Sequence, residues 1–414
     1  MSKIKLSLSD TKHGKYQNPV IKFNTSLKSP HTKKAYTKTF HEFLKSVSDF
    51  QGTFEEKAIQ FFEHSQNNIE DIEKILESYA IQLNERSKEP HDSDDYLNPS
   101  VFSNKFKGIK KFCKVNRILI HWDIIDEYSP EQNNVKHTRG FTTDEVKIFL
   151  DNSTSIQTDF MILAISSCGA RAGEWEELHW EHISPIYCQG EKYSFDSSEF
   201  DDSGIVCACV IIYAGTPSEY RTLISIEAWD KLQALKKQRT QKLGKIPSSS
   251  DYVFLTKRQP SKFSVDGVRQ KLFTIVHESK TQIKTDGERR CEAPATHGFR
   301  KRWNKIMTES ENKNDSHGNH IRKERLMGHK VGISSLEGNY FYANILESVP
   351  QYLQAMPELM ISEEYRTQIK LQLQKEKNNQ LQAELKKNTV PKELMDELLA
   401  KIERLEKYQK VSDV

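Results

Sequence analysis

Three separated stretches of the chain carry residue types that could act together on a phosphodiester. Arg171 lies in CGARAGEWEELHWEHI, just after a glycine that lets the chain turn tightly. His297 and Arg300 lie in THGFRKRWNK at positions i and i+3, and so project from one face of a helix. LMGHK supplies His329, and GNYFY supplies Tyr340 and Tyr342 shortly after it. Two guanidinium groups can clamp non-bridging phosphate oxygens in fork geometry and stabilise the charge of a pentacovalent transition state. Histidines can move protons or hydrogen-bond the same oxygens near neutral pH. A tyrosine hydroxyl can then be the nucleophile and form a covalent phosphotyrosyl link.

Each residue also has a plainer reading. Arg171 could cap the preceding helix or pair with Glu174, and His297 and His329 could be satisfied structural histidines. It is the set that argues for chemistry. His317 and His320 raise the question of a metal site with His329, but no cysteine or carboxylate completes a recognisable geometry. No metal and no cofactor is expected. His179 and His182 read as packing or surface residues, and Cys207 and Cys209, on one strand face, as small buried hydrophobes. Tyr213 and Tyr220 read as core.

The elements that must position these residues follow from periodicity and turn chemistry. Residues 1–28 are polar, lysine-rich and aperiodic, and are expected to form a flexible basic arm. Tyr36, Phe40, Phe43 and Leu44 are spaced helically after Ser29-Pro30, and helical patterns recur at 55–63, 69–84 and 99–115. Residues 29–130 therefore read as an all-helical domain, with a linker at 131–140. FTTDEVKIFLDN opens a second domain, 141–361, with a threonine-capped helix, and TDFMILAISSCGAR follows as an apolar helix. Ile205–Tyr213 and Tyr220–Ile226 read as a β-hairpin around AGTPSE. Further helices are expected at 227–240, 263–278, 298–310 and 318–328. Residues 362–414 form a Gln/Lys/Glu-rich tail whose weak heptad (Ile369, Leu373, Leu381, Leu385) suits a helical hairpin or short coiled coil. The fold class is thus mainly α with a small antiparallel sheet.

Composition bounds the partners. The 414 residues are 36% hydrophobic and 29% charged, with no apolar run of membrane-spanning length and no apolar leader, so a cytoplasmic protein without membrane contact is expected. The six cysteines are too few and scattered for a disulfide framework. A net charge of +3 taken alone argues against nucleic acid, but it is the remainder of a cancellation. Residues 1–48 carry ten lysines and two acids, whereas residues 49–100 carry 13 acids and 4 bases. Residues 105–117 hold six cations and no acid, and residues 289–330 hold 11 bases against 5 acids. Basic runs interleaved with aromatics point to a polyanion partner, with Lys33, Lys34, Lys110 and Lys111 as phosphate contacts and the acidic stretch facing away.

Taken in order, these motifs resemble the tyrosine recombinases, or integrases. That family carries an Arg turn followed by a Glu, then H-x-x-R, then LGH, then a tyrosine roughly ten residues later. Here these are CGAR with Glu174, HGFR, MGH and Tyr340. FTTDEVKIFL resembles the opening helix of the family's catalytic domain, and SPHTKKAYTKTFHEFLKS the start of its SAM-like core-binding domain. YAGTPSEYRTLISIEAW and NYFYANILESVPQYLQAMPELMI are most similar to archaeal-type integrases. The likeness spans roughly residues 29–361. It implies a C-shaped clamp on duplex DNA, four protomers synapsing two sites, and strand exchange through a 3′-phosphotyrosine. Neither ATP nor a metal would be needed.

Two departures stand out. The family usually has a catalytic lysine in the turn of the hairpin, as acid for the 5′-oxygen. Here that turn reads GTPSEYR, with Thr216 near the expected position; Lys192 and Arg221 are the candidates to replace it. Tyr340 and Tyr342 both follow His329 at somewhat longer spacing than is common, and Tyr340 is the preferred nucleophile. A type IB topoisomerase and a catalytically inactive DNA-binding protein on the same fold are the alternatives.

Overall fold

The structure, a computed structural model, describes residues 18–131, 138–200, 204–256, 261–281, 291–310, 316–329 and 345–388. The described residues fall into two compact units, 18–131 and 138–388. Among the described residues no helix is long and apolar enough to cross a membrane.

The first unit is all helical: α1 (Pro19–Thr25), α2 (Pro30–Ser46), α3 (Phe54–Asn67), α4 (Ile69–Lys88), α5 (Phe102–Asn116) and α6 (Trp122–Asp126). Its core is built of phenylalanine. Phe23, Phe40, Phe43, Phe61, Phe106 and Phe112 are buried, and Phe40 and Phe43 meet Phe61 edge-on at 5.8 and 5.9 Å. α2 and α5 cross closely because residue 108 is glycine; a β-carbon there would stand 2.2 Å from the Tyr36 carbonyl oxygen. α1 corrects the expectation of a flexible arm across residues 1–28. Asn18 caps it through its side chain, Pro19 starts it, and Val20 and Phe23 enter the core. A seven-residue helix with so few apolar positions has no period to read. Residues 1–17 lie outside the described residues.

The second unit is mainly helical around one antiparallel sheet, ordered β2-β1-β3-β4. Its elements are α7 (Thr143–Asp151), α8 (Ile156–Cys168), β1 (Ile183–Gln189), β2 (Lys192–Ser194), β3 (Gly204–Ile212), β4 (Tyr220–Ser225), α9 (Ile226–Leu243), α10 (Val265–Glu278), α11 (His297–Glu309), α12 (Ser316–Leu326), α13 (Val349–Leu359) and α14 (Glu363–Asn388). The sheet is buried on both faces. Ala208, Val210, Ile212 and Ile224 pack in one core cluster with α8 and α9, whereas Cys207, Cys209 and Leu223 pack with Trp303, Met307, Tyr352 and Met356. Double burial explains why β3 reads as an unbroken apolar run. β1 escaped the sequence reading because Pro185 and an irregular register at Ile186/Tyr187 break its alternation.

α8 is the central helix. From Phe160 to Cys168 every residue is buried, as an apolar sequence without a polar face requires. Its C-terminal carbonyls have no partners inside the helix, and side chains from elsewhere supply them. Trp303 Nε1 and Tyr352 Oη donate to Ser167 O at 2.8 and 2.9 Å, and Thr222 Oγ1 donates to Cys168 O at 3.3 Å. α14 is a single 26-residue helix. Buried Glu227 holds its start by accepting from the Ile361 and Ser362 backbone N–H groups, each at 2.9 Å. Residues 389–414, the rest of the expected tail, lie outside the described residues.

Candidate active site

The site grows from the end of α8. The next carbonyl, Gly169 O, accepts from Arg300 Nη1 at 2.8 Å, so a guanidinium sits at the negative end of the central helix. Arg300 Nη2 donates to Met327 O at 2.9 Å and to His329 Nε2 at 2.6 Å. These three bonds bring together HGFR, MGH and the end of the helix that leads into CGAR. Arg300 is only 7% exposed, and burial together with the charge of Arg171 lowers its pKa. Three of its five N–H donors go to protein acceptors, which leaves two for a ligand.

His329 is oriented in turn by Glu324. Its Nδ1 lies 2.5 Å from Glu324 Oε2. Arginine can only donate, so Nε2 is the acceptor and Nδ1 carries the proton. In this state His329 steers Arg300 rather than donating to a phosphate. Glu324 lies on α12 five residues before His329 and gave no signal in the sequence.

Arg171 leads into a short 3₁₀ turn, Ala172–Trp175. Its Nη1 and its backbone N–H both donate to Glu174, at 2.9 and 2.6 Å. Glu174 is 4% exposed, whereas the Arg171 side chain is 47% exposed. The carboxylate anchors the guanidinium and leaves its outer donors open. A third donor reaches Glu174: Tyr220 Oη, at 2.5 Å. Tyr220 is therefore more than the core residue expected. Tyr213 departs from expectation outright, being exposed at the β3–β4 turn with φ of 55°.

His297 begins α11 and is exposed. Partial desolvation lowers its pKa, and so do the charges of Arg300, Arg171, Lys301 and Arg269. The imidazole is thus neutral at pH 7 and ready to accept a proton. Arg269, on α10, was not foreseen; its Nη2 would stand 3.3 Å from a β-carbon at Gly173, over the Arg171 turn. Arg302, two residues past Arg300, is structural. It is buried and donates to the Glu358 and Leu359 carbonyls ending α13 and to Thr143 Oγ1.

The remaining predicted residues are spread more widely. Lys192 is in the edge strand β2, separated from β4 by both β1 and β3, and paired with Gln189 beyond the Cys188–Gly204 end of the sheet. The β3–β4 turn leaves β3 at its other end, roughly 27 Å away at the usual rise along a strand. Arg221 is exposed on β4, where it alternates with Tyr220 and so points to the opposite face. The turn itself is closed by Thr216 Oγ1 donating to Tyr213 O at 2.8 Å and by Glu219 accepting from Gly215 N at 2.7 Å. Tyr340 and Tyr342 lie outside the described residues. Among those described, no three His, Cys, Asp or Glu side chains are grouped to hold a metal ion.

In the first unit, Lys33 and Lys34 are exposed on α2. α5 runs antiparallel to α2, with Lys105 paired to Glu42 at 2.8 Å and Gly108 against Tyr36 and Phe40. Lys111 follows on α5 and is half-buried, next to Phe112, whose ring meets Phe40 at 4.6 Å. Lys110 is engaged within the unit, 2.9 Å from Asp126 and 5.1 Å over the Trp122 ring.

No protein-family profile and no curated protein sequence matches the chain. Several solved structures do. XerH site-specific recombinase bound to palindromic difH substrate aligns with a TM-score of 0.42 and 14% identity, over 77% of this chain and 79% of that one. A lambda integrase (75–356) dimer bound to a COC′ core site gives 0.39 and 11%, over 80% and 95%. The integrase from mycobacterium phage Brujita gives 0.35 and 11%, over 85% and 95%. At these values the likeness assigns no role to any residue of this chain.

Proposed function

We propose that this protein is a site-specific DNA recombinase of the tyrosine type. The observation that carries the reading is the convergence on Arg300. One buried guanidinium binds the end of the CGAR helix, the MGH backbone and the His329 ring. Arg300 and Arg171 would hold the non-bridging oxygens of the scissile phosphate. Neutral His297 would take the phenolic proton of Tyr340, whose oxygen attacks phosphorus. The bond to the 5′-oxygen breaks and that oxygen takes a proton from solvent while His297 releases the one it received, leaving a 3′-phosphotyrosyl link and a 5′-hydroxyl; attack by the partner strand's 5′-hydroxyl reverses the step. The phosphodiester energy stays in the covalent link. Lys33, Lys34 and Lys111 would grip the duplex backbone, and four protomers would join two sites.

A second reading, a DNA-binding protein without cleavage, is favoured by one feature. The β3–β4 turn holds no lysine, and Lys192 is at the far end of the sheet. A library of duplexes with a randomised core and a nick near its centre separates the two. Protein–DNA adducts surviving denaturant, lost in Tyr340→Phe and kept in Tyr342→Phe, support the recombinase. Retention of DNA without any adduct supports the binding protein.

A further inference from the structure

The geometry points to Tyr220 as a positioning residue that sets both arginines of the clamp at once, and this rests on the recombinase reading of the same site. Glu174 Oε2 accepts from the Arg171 backbone N–H at 2.6 Å and from Tyr220 Oη at 2.5 Å, while Oε1 accepts from Arg171 Nη1 at 2.9 Å. A carboxylate this buried must be satisfied by donors, and a phenol donating to an anion is one of the stronger kinds. Removing the hydroxyl leaves Oε2 underbonded and loosens the hold on Arg171.

The ring of the same side chain bears on the other arginine. Gly328 has φ of 70°, and a β-carbon there would lie 2.6 and 2.7 Å from Tyr220 Cε1 and Cζ. The ring therefore lies against the backbone of the Gly328 turn. Met327 before that turn and His329 after it are the two acceptors that hold Arg300 Nη2. Tyr220 opens β4 and pairs across the ladder with Ile212, so its base is held by the sheet. One side chain thus links a rigid strand to the carboxylate behind Arg171 and to the turn behind Arg300. Burial and the charge of Glu174 push its phenol far above the usual range, which keeps it a donor to the carboxylate.

Tyr220→Phe removes the oxygen and keeps the ring. On a duplex enriched by adduct capture, the variant is expected to form adduct about 10–100-fold more slowly than wild type, the usual loss for a hydrogen bond to a charged group. Non-covalent retention of that duplex should change less than about threefold, since the surface contacts remain. Because Tyr220 acts through Glu174, adding Tyr220→Phe to Glu174→Gln should cause no further loss. In parallel, phenylglyoxal labelling of Arg171, read by peptide mass, should run faster in Tyr220→Phe than in wild type. An unchanged adduct rate in Tyr220→Phe, or losses that multiply with Glu174→Gln, overturns the proposal. Absence of adduct from wild type defeats the recombinase reading instead. Arg171 labelling then still decides on Tyr220, faster labelling upholding its hold on the pair and unchanged labelling refuting it.

Discussion

The two units of the chain handle positive charge in opposite ways. In the second unit the important cations are buried or anchored. Arg300 is held by two carbonyls and an imidazole, and Arg171 by a buried carboxylate. In the first unit Lys33 and Lys34 stand exposed to solvent on a helix whose other face enters the phenylalanine core. A guanidinium that must stabilise charge developing in a transition state has to be fixed beforehand, because its reorganisation would add to the barrier. A cation that only neutralises a backbone phosphate works through counterion release and needs no fixed geometry. On the recombinase reading proposed above, the contrast separates chemistry from grip.

The largest expected effect that sharpens this contrast is at Arg300. Arg300→Ala should slow adduct formation by at least about 10²–10³-fold. Arg300→Lys should not rescue it, since an ammonium cannot reach two carbonyls and a ring nitrogen in fork geometry. Rescue by lysine, in single-turnover assays, would show that charge alone suffices.

Next in size is the anchor between α9 and α14. Glu227 is buried, and burial raises its pKa against the opposing pull of two backbone N–H groups and Arg302. Glu227→Gln keeps one acceptor and turns an amide donor toward the other N–H. It should cost about 1–3 kcal/mol in denaturant unfolding, with DNA affinity unchanged once folded. An equal cost from an exposed first-unit substitution such as Lys34→Ala would erase the distinction between anchored and free charge.

The pH dependence is a third way to break the comparison. His297 has its pKa lowered from 6.5 by desolvation and by neighbouring cations, Arg300 first among them. The protonated form is the disfavoured one, so the neutral base persists as pH falls through 6.5. The acid limb of the adduct-formation rate should therefore lie below 6.5, and a limb above it would remove His297 as the proton acceptor. Retention of DNA by the first-unit lysines should show no such limb.

The smallest effects belong to those lysines. Lys33→Ala, Lys34→Ala and Lys111→Ala should each weaken binding evenly across sequences and reduce the salt slope by about 1. Lys110→Ala should do less, because Asp126 and Trp122 already engage that ammonium. An equal slope change at Lys110, in affinities measured across salt, would mean that DNA displaces Asp126.

Much of this was legible in the chain. The H-x-x-R spacing placed His297 and Arg300 together at the start of one helix, the hairpin of β3 and β4 followed from its β-branched runs and central turn, and segmental charge located basic helices that net charge had hidden. What was not legible has a common cause. Arg300 and Arg302 are equally basic and two residues apart, yet one faces the site and the other ties down α13. α1 was too short to show a period, and β1 and β2 lacked alternation. Tyr220 looked like core because nothing near it in sequence marks it.

By itself, then, the sequence determined the inventory of reactive groups, the helices that carry them and the partition of charge, all of which depend on neighbours a few residues apart. Only the tertiary structure decided which groups meet. Tyr220 and Glu174 are 46 residues apart, Arg300 and Gly169 131, and Arg300 and His329 29. Hydrogen bonds of this kind act over about 3 Å and depend on angle, so the packing of α8, β4, α11 and α12 selects among chemically identical side chains.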